Sequence, residues 1–202
     1  MEMETHTQGS EERLTSRPPT EVDLISICDG LNKAGAQYVV VGGWAIIQSG
    51  YPRYTEDIDL LISTEVENEA IVLGVLSELP DRAAAQVRPG EVAEYGVVRI
   101  GDEVLVDLMK SGCGVTYADA IQDAVWYELK GVRIPFASKK TLWKMKQTLR
   151  EKDNPDRLFL AQSLTEEGIP LDPPPRSVDP DEGLPAWAKA VVAALRFLFK
   201  KH

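Results

Sequence analysis

Two aspartates placed two apart, Asp57 and Asp59, follow a glycine pair, Gly42 and Gly43, with thirteen residues between Gly43 and Asp57. The aspartates open an apolar run that continues through Leu60, Leu61 and Ile62. Alternate side chains of a strand share a face, so both carboxylates point one way and Ile58 the other. Carboxylates held that close repel each other unless a cation sits between them. A divalent ion bound by hard oxygen ligands is the chemistry this pair suggests. Taken alone, the pair also fits a solvated strand edge or a helix cap. The glycines add a second element: Val39, Val40 and Val41 run into them, and backbone amides at a tight turn that opens a helix favour phosphate.

Positioning these groups requires a strand over 38–41, a short helix over 44–49 broken by Gly50-Tyr51-Pro52, and a second strand from Asp57. Upstream, Val22, Leu24, Ile25, Ile27, Cys28 and Leu31 form a helical stripe that closes at Ala34-Gly35. Downstream, Ile71, Val72, Val75, Leu76 and Leu79 predict a helix over 67–79, stopped by Pro80. The runs 95–100 and 104–109 flank Gly101-Asp102-Glu103 and predict a hairpin. Its second strand carries Asp107 in an otherwise apolar run, so that carboxylate either faces solvent or is held against a cation. A further hairpin is expected over 125–137, turning at Lys130-Gly131, and Ser138 can cap a helix carrying Leu142, Trp143, Met145 and Leu149.

Between Lys139 and Arg157 fall seven cations in nineteen residues: Lys139, Lys140, Lys144, Lys146, Arg150, Lys152 and Arg157. Most fit a solvated helix face. Lys146 follows an apolar residue on a helix that leads into Arg150-Glu151-Lys152-Asp153-Asn154-Pro155-Asp156.

These motifs resemble the nucleotidyltransferase superfamily, in which an apolar residue, Gly, and Gly or Ser precede an Asp-x-Asp or Asp-x-Glu pair. Gly42, Gly43, Asp57 and Asp59 match that pattern, with a spacer towards its long end. The segment from Lys146 to Asp156 is similar to the C-terminal motif of AbiEii-type nucleotidyltransferases, and the resemblance spans about residues 36–162. It implies that Asp107 is the third carboxylate beside the pair, and that Asp57, Asp59 and Asp107 hold two Mg2+ ions, with Mn2+ as a substitute. It also implies that Gly42, Gly43, Lys146, Lys152, Asp153 and Asp156 line the nucleotide site. The expected fold is α/β (α+β), a small mixed sheet with a helical C-terminal part. The expected reaction transfers a nucleoside monophosphate from an NTP to an acceptor hydroxyl and releases pyrophosphate. The cations of 139–157 point to an RNA acceptor such as a tRNA 3′ end, in a toxin-antitoxin or phage-defence setting with a cognate partner. A protein hydroxyl and a non-catalytic binding module on the same fold are the alternatives. Trp44, where the family often has a small residue, is either core or a wall that narrows the pocket.

The remaining composition mainly excludes. Both histidines, His6 and His202, lie near the termini, which disfavours imidazole-dependent triads and histidine-ligated metals. Cys28 and Cys113 are too few and too far apart for a disulfide framework or a zinc site. No Gly-x-x-x-x-Gly-Lys-Ser/Thr run is present, which disfavours a P-loop NTPase. A formal net charge of −10 argues against a surface that coats nucleic acid. The 202 residues, 44% of them hydrophobic, contain no membrane-length apolar run, and a cytoplasmic protein is expected. The expected organisation is a disordered leader over 1–19, a core over 20–137, a helical part over 138–168, a proline-rich linker over 169–185 and an amphipathic helix over 186–202.

Overall fold

The computed structural model describes residues 16–172, so the linker beyond Asp172, the amphipathic helix and most of the leader lie outside the described residues. Helix α1, Glu21–Ala34, begins at a reciprocal cap in which Thr20 and Asp23 satisfy each other's backbone N–H groups. It ends where Gly35 takes a φ of 75°, a left-handed conformation that closes the last turn. Its buried face is Leu24, Ile25, Ile27, Cys28 and Leu31, as the stripe predicts. Arg17 precedes it, ion-paired to Asp23 and Glu103 and bridged to Val104, so residues 16–19 join the fold although composition assigns them to the leader.

Strand β1, Tyr38–Val40, leads into helix α2, Gly42–Gln48, and then strand β2, Asp57–Ile62. The helix includes both glycines, starting two residues earlier than the pattern suggests. Helix α3, Val66–Leu76, is shorter than its apolar periodicity, because the chain turns off at Ser77 before reaching Pro80. A short helix α4, Glu91–Tyr95, follows; its first amides donate to the buried carboxylate of Glu69, a long-range cap that no local pattern announces. Strands β3, Val97–Gly101, and β4, Leu105–Met109, form the expected hairpin. Two short strands, β5 (Ser111–Gly112) and β6 (Val115–Thr116), make a small separate ribbon before helix α5, Tyr117–Ala120. Strands β7, Val125–Leu129, and β8, Val132–Phe136, form the second hairpin, in which Lys130 and Gly131 both have positive φ, as a two-residue turn of this hand requires.

The main sheet has the order β3-β4-β2-β1-β8-β7. Pairings β2–β4 and β1–β8 are parallel and the others antiparallel, so the sheet is mixed. The central strands β1 and β2 are nearly continuous apolar runs because helices cover them. Helix α6, Lys139–Met145, stops at Lys146 and does not carry Leu149, which is 86% exposed. A 3-10 turn at Glu151–Asp153 then leads into helix α7, Asn154–Glu166. Ile169 and Leu171, at the start of the expected linker, pack on the core. Among the described residues no helix is long and apolar enough to cross a membrane.

Asp102, at the β3–β4 turn, is 2% exposed and accepts from the amides of Asp81, Ala83 and Glu103. Burial works against its charge, but these three donors outweigh it and hold the carboxyl below the ordinary range. Asp102→Ala is expected to cost about 2–4 kcal/mol in denaturant unfolding, by leaving buried amides unpaired. Because the folded value lies below the unfolded one, the wild-type advantage should be complete near neutrality and fade as the pH falls through the carboxylate range.

Candidate active site

The topology brings together what the sequence places fifty residues apart. Parallel pairing sets Asp59 of β2 directly beside Asp107 of β4, and Asp57 lies two residues along on the same face. One oxygen from each of the three carboxylates lies within 4.8 Å of the others. Burial, then repulsion from Asp57 and Asp107, pushes the Asp59 carboxyl up to about 6, against the pull of Lys146 and the Gly43 amide.

The glycines have a steric role beside the phosphate role expected of them. A Cβ on Gly42 would stand 1.8 Å from the Asp59 Oδ2, and Gly42 has a φ of 58° that side chains rarely tolerate. A Cβ on Gly43 would stand 2.2 Å from the Thr55 Oγ1. The pair therefore leaves room for the Asp59 carboxylate and the loop in front of it, and the Gly43 amide donates to Asp59. Both glycines still line the cleft.

Arg99, on β3 and directly opposite Asp107 in the hairpin register, spans the triad. Its Nε donates to Asp107 Oδ1 at 2.7 Å, and its Nη2 donates to Asp107 Oδ2 at 2.7 Å and Asp57 Oδ2 at 3.1 Å. The bond to Asp107 raises the guanidinium pKa above its ordinary range, so it is a permanent cation.

A second ionic cluster lies deeper. Lys146 Nζ donates to Asp153 Oδ1 at 2.8 Å and to Asp156 Oδ2 at 2.9 Å. Arg53, from the loop before β2, reaches the same Asp156 oxygen at 2.5 Å, and Thr148 donates to Asp153. Arg157 donates to the carbonyl oxygens of Lys146 and Thr148 and so pins the turn between α6 and α7. Burial opposes the charge of Lys146, yet the two carboxylates outweigh it and hold the ammonium protonated.

A cleft of about 380 Å³ joins these parts, lined by Gly42, Gly43, the three aspartates, Lys146, Lys152 and Asp153 among the residues anticipated. Asp156 is 1% exposed and does not line it; its carboxylate holds Lys146 and Arg53 instead. Arg53 and Arg99 also line the cleft and were not singled out in the sequence; Arg150, named there among the seven cations, lines it too. For Arg99 the signal was available: closing the hairpin around Gly101-Asp102-Glu103 sets residue 99 against residue 107. Arg53 carries no such signal, because its partner lies on α7. Trp44 packs on the core and does not line the cleft; its indole N–H is buried without a hydrogen-bond partner among the described residues. Of the seven cations expected to form a basic face, Lys139, Lys146 and Arg157 are spent on internal partners. Lys140, Lys144, Arg150 and Lys152 form no ion pair among the described residues.

The donor set fits a hard divalent ion: three converging carboxylates, and excess negative charge visible in the raised Asp59 value and in the arginine drawn across Asp107 and Asp57. A mixed α/β sheet carrying such a triad is what a nucleotidyltransferase needs, and comparison with known proteins agrees that the chain is an NTP-dependent nucleotidyltransferase. It belongs to the aminoglycoside-2''-adenylyltransferase family, whose model matches residues 23–157. That span contains every site residue discussed above. The AbiEii-type assignment is not what this match returns.

Similar solved structures include the antibiotic-resistance factor ANT(2'')-Ia in complex with adenylyl-2''-tobramycin, at 18% identity over 74% of this chain and 92% of that one, with a TM-score of 0.46. A solution structure of ANT(2'')-Ia matches at 16% identity over 91% and 100%, with a TM-score of 0.45. A Thermotoga maritima protein described as a candidate nucleotidyltransferase matches at 18% identity over 72% and 86%, with a TM-score of 0.40. Among curated proteins none matches the chain by sequence.

The folded Asp59 carboxyl, at about 6, lies above the reference value of 3.8, so the fold favours its protonated form. That preference stabilises the metal-free protein below about pH 4 and is lost as the pH rises through 6. Asp59→Asn should therefore raise the melting temperature of EDTA-treated protein at pH 7.5 by roughly 2–8 °C, with a smaller gain at pH 5. A gain that does not shrink at pH 5 would show that like-charge crowding is not its source.

Proposed function

We propose that the chain transfers adenylate from ATP to a hydroxyl of an aminoglycoside, a small polycationic aminosugar, with release of pyrophosphate. The observation that carries this reading is the convergence of Asp57, Asp59 and Asp107 on one sheet face inside the span matched by the family. In the reaction the acceptor oxygen attacks the α-phosphorus, the bond from that phosphorus to the pyrophosphate oxygen breaks, and the hydroxyl proton passes to a base. Asp57, Asp59 and Asp107 would hold Mg2+, as two ions in this reading. A bound divalent ion supplies charge stabilisation at the phosphates and lowers the pKa of an acceptor hydroxyl.

The protein's own groups divide the rest. Lys152 and Arg150 are exposed at the cleft without ion-pair partners among the described residues and are free to meet the triphosphate. Lys146, already balanced by Asp153 and Asp156, is held in place by them and presents a fixed ammonium to the cleft. Gly42 and Gly43 let Asp59 stand close to the turn and themselves line the cleft. Asp107 lies next to the edge strand on the side away from β1, and we assign it to the acceptor.

Charge supports the acceptor class. A chain of net charge −10 attracts a polycation and repels a polyanion over long range. The basic segment that favoured RNA has lost three of its cations to internal partners, and the family match supports neither an RNA end nor a toxin-antitoxin setting. An ATP-dependent activity of this kind suits the cytoplasm.

Incubation with ATP, Mg2+ and a panel of aminoglycosides including tobramycin should yield an antibiotic heavier by one AMP unit, together with pyrophosphate, by mass spectrometry. AMP appearing only on RNA ends or on protein would sink the aminoglycoside reading while keeping the nucleotidyltransferase one. Asp107→Asn should lose about 10²–10⁴-fold in kcat while nucleotide affinity changes by only a few-fold. A collapse of nucleotide affinity with turnover retained would reverse the assignment of Asp107.

A further inference from the structure

We propose that Arg99 is a resident counter-cation of the carboxylate triad and competes with the divalent ion for Asp57 and Asp107. The inference rests on the triad being the metal seat. Both oxygens of Asp107 are taken by the Arg99 guanidinium, one by Nε and one by Nη2, each at 2.7 Å. The same Nη2 also occupies an oxygen of Asp57 at 3.1 Å. While these bonds last, each Asp107 oxygen offers an ion or an acceptor proton only its second lone pair, with the guanidinium charge beside it. A divalent ion therefore binds these carboxylates fully only as Arg99 withdraws, because the two cations compete for the same oxygens.

The fold makes that withdrawal feasible. Among the described residues strand β3 is an edge strand with no strand beyond it, and the Arg99 side chain is 54% exposed although it is bonded to two carboxylates. Its long stem can carry the guanidinium into solvent or across the cleft that it already lines. An arriving triphosphate would offer the displaced guanidinium a new anion, so the carboxylates would pass to the metal as the arginine passes to the phosphates. The arrangement also explains why three crowded carboxylates are tolerated in the free protein: one permanent cation bridges Asp57 and Asp107 and offsets part of their charge.

Full-length wild type and Arg99→Gln would be titrated with Mn2+ alone, without nucleotide, by calorimetry or by electron paramagnetic resonance of free Mn2+. Arg150→Gln, which removes a cation that lines the same cleft but touches none of the three aspartates, serves as the control for the general field. Competition predicts that Arg99→Gln binds Mn2+ at least tenfold more tightly than wild type, and that Arg150→Gln changes affinity by less than threefold. In EDTA the Arg99→Gln protein should melt below wild type, and saturating Mn2+ should raise its melting temperature more than it raises that of wild type. Equal or weaker Mn2+ binding by Arg99→Gln overturns the inference and makes the arginine a support of Asp107. An equal gain in Arg150→Gln also overturns it, in favour of simple charge removal. Absence of Mn2+ binding in all three proteins overturns the metal seat itself, and the inference with it.

Discussion

Three carboxylates crowded on one sheet face dominate the electrostatics of this molecule. At separations under 5 Å, and partly shielded from water, like charges repel by several times what they would in bulk solvent. The surrounding structure is arranged around that repulsion. Arg99 bridges the two outer members, the Gly43 amide donates to the inner one, and Gly42 gives up a side chain so that Asp59 can stand where it does. What remains uncompensated appears as the raised carboxyl of Asp59, a tension that a bound cation would relieve.

The second ionic cluster has a different character. Lys146, Arg53, Asp153 and Asp156 balance one another, two cations against two anions, and Asp153 and Asp156 are almost wholly buried. Such a group adds little net stability over an apolar core, but removing one member strands the others without a partner. Its value is geometric. Arg53 belongs to the loop that leads into β2, while Lys146, Asp153 and Asp156 belong to the helical C-terminal part, so the cluster fixes the distance between the aspartate strand and the cationic wall of the cleft. Asp156, which resembles a nucleotide ligand in sequence, here holds Lys146 and Arg53 instead.

Long-range charge and local charge point to different partners and are reconciled by position. The chain as a whole is acidic, which suits a polycationic acceptor, while the cleft concentrates Arg53, Arg99, Lys146, Arg150 and Lys152, which suits a triphosphate. The reaction proposed here, between an anionic donor and a cationic acceptor, would draw on both.

Much of this was legible in the chain. The alternation at Asp57-Ile58-Asp59, the glycine pair, the hairpins around residues 101–103 and 130–131 and the stripe of α1 are local patterns, and local patterns determine strands, turns and helix faces because the period of each element is set by backbone geometry. The superfamily was readable from the same stretch, since its glycines and carboxylates are close in sequence. Tertiary structure decided the rest. Asp107 could have faced solvent from its strand, and only the parallel pairing of β4 with β2 sets it beside Asp59. Glu69 capping α4 and Arg53 bonding Asp156 join residues far apart in the chain, which no period reports. The seven cations of 139–157 read as one basic surface because a sequence shows charges without their partners. Folding pairs three of them internally, because a buried or half-buried charge must find a counter-group while an exposed one need not.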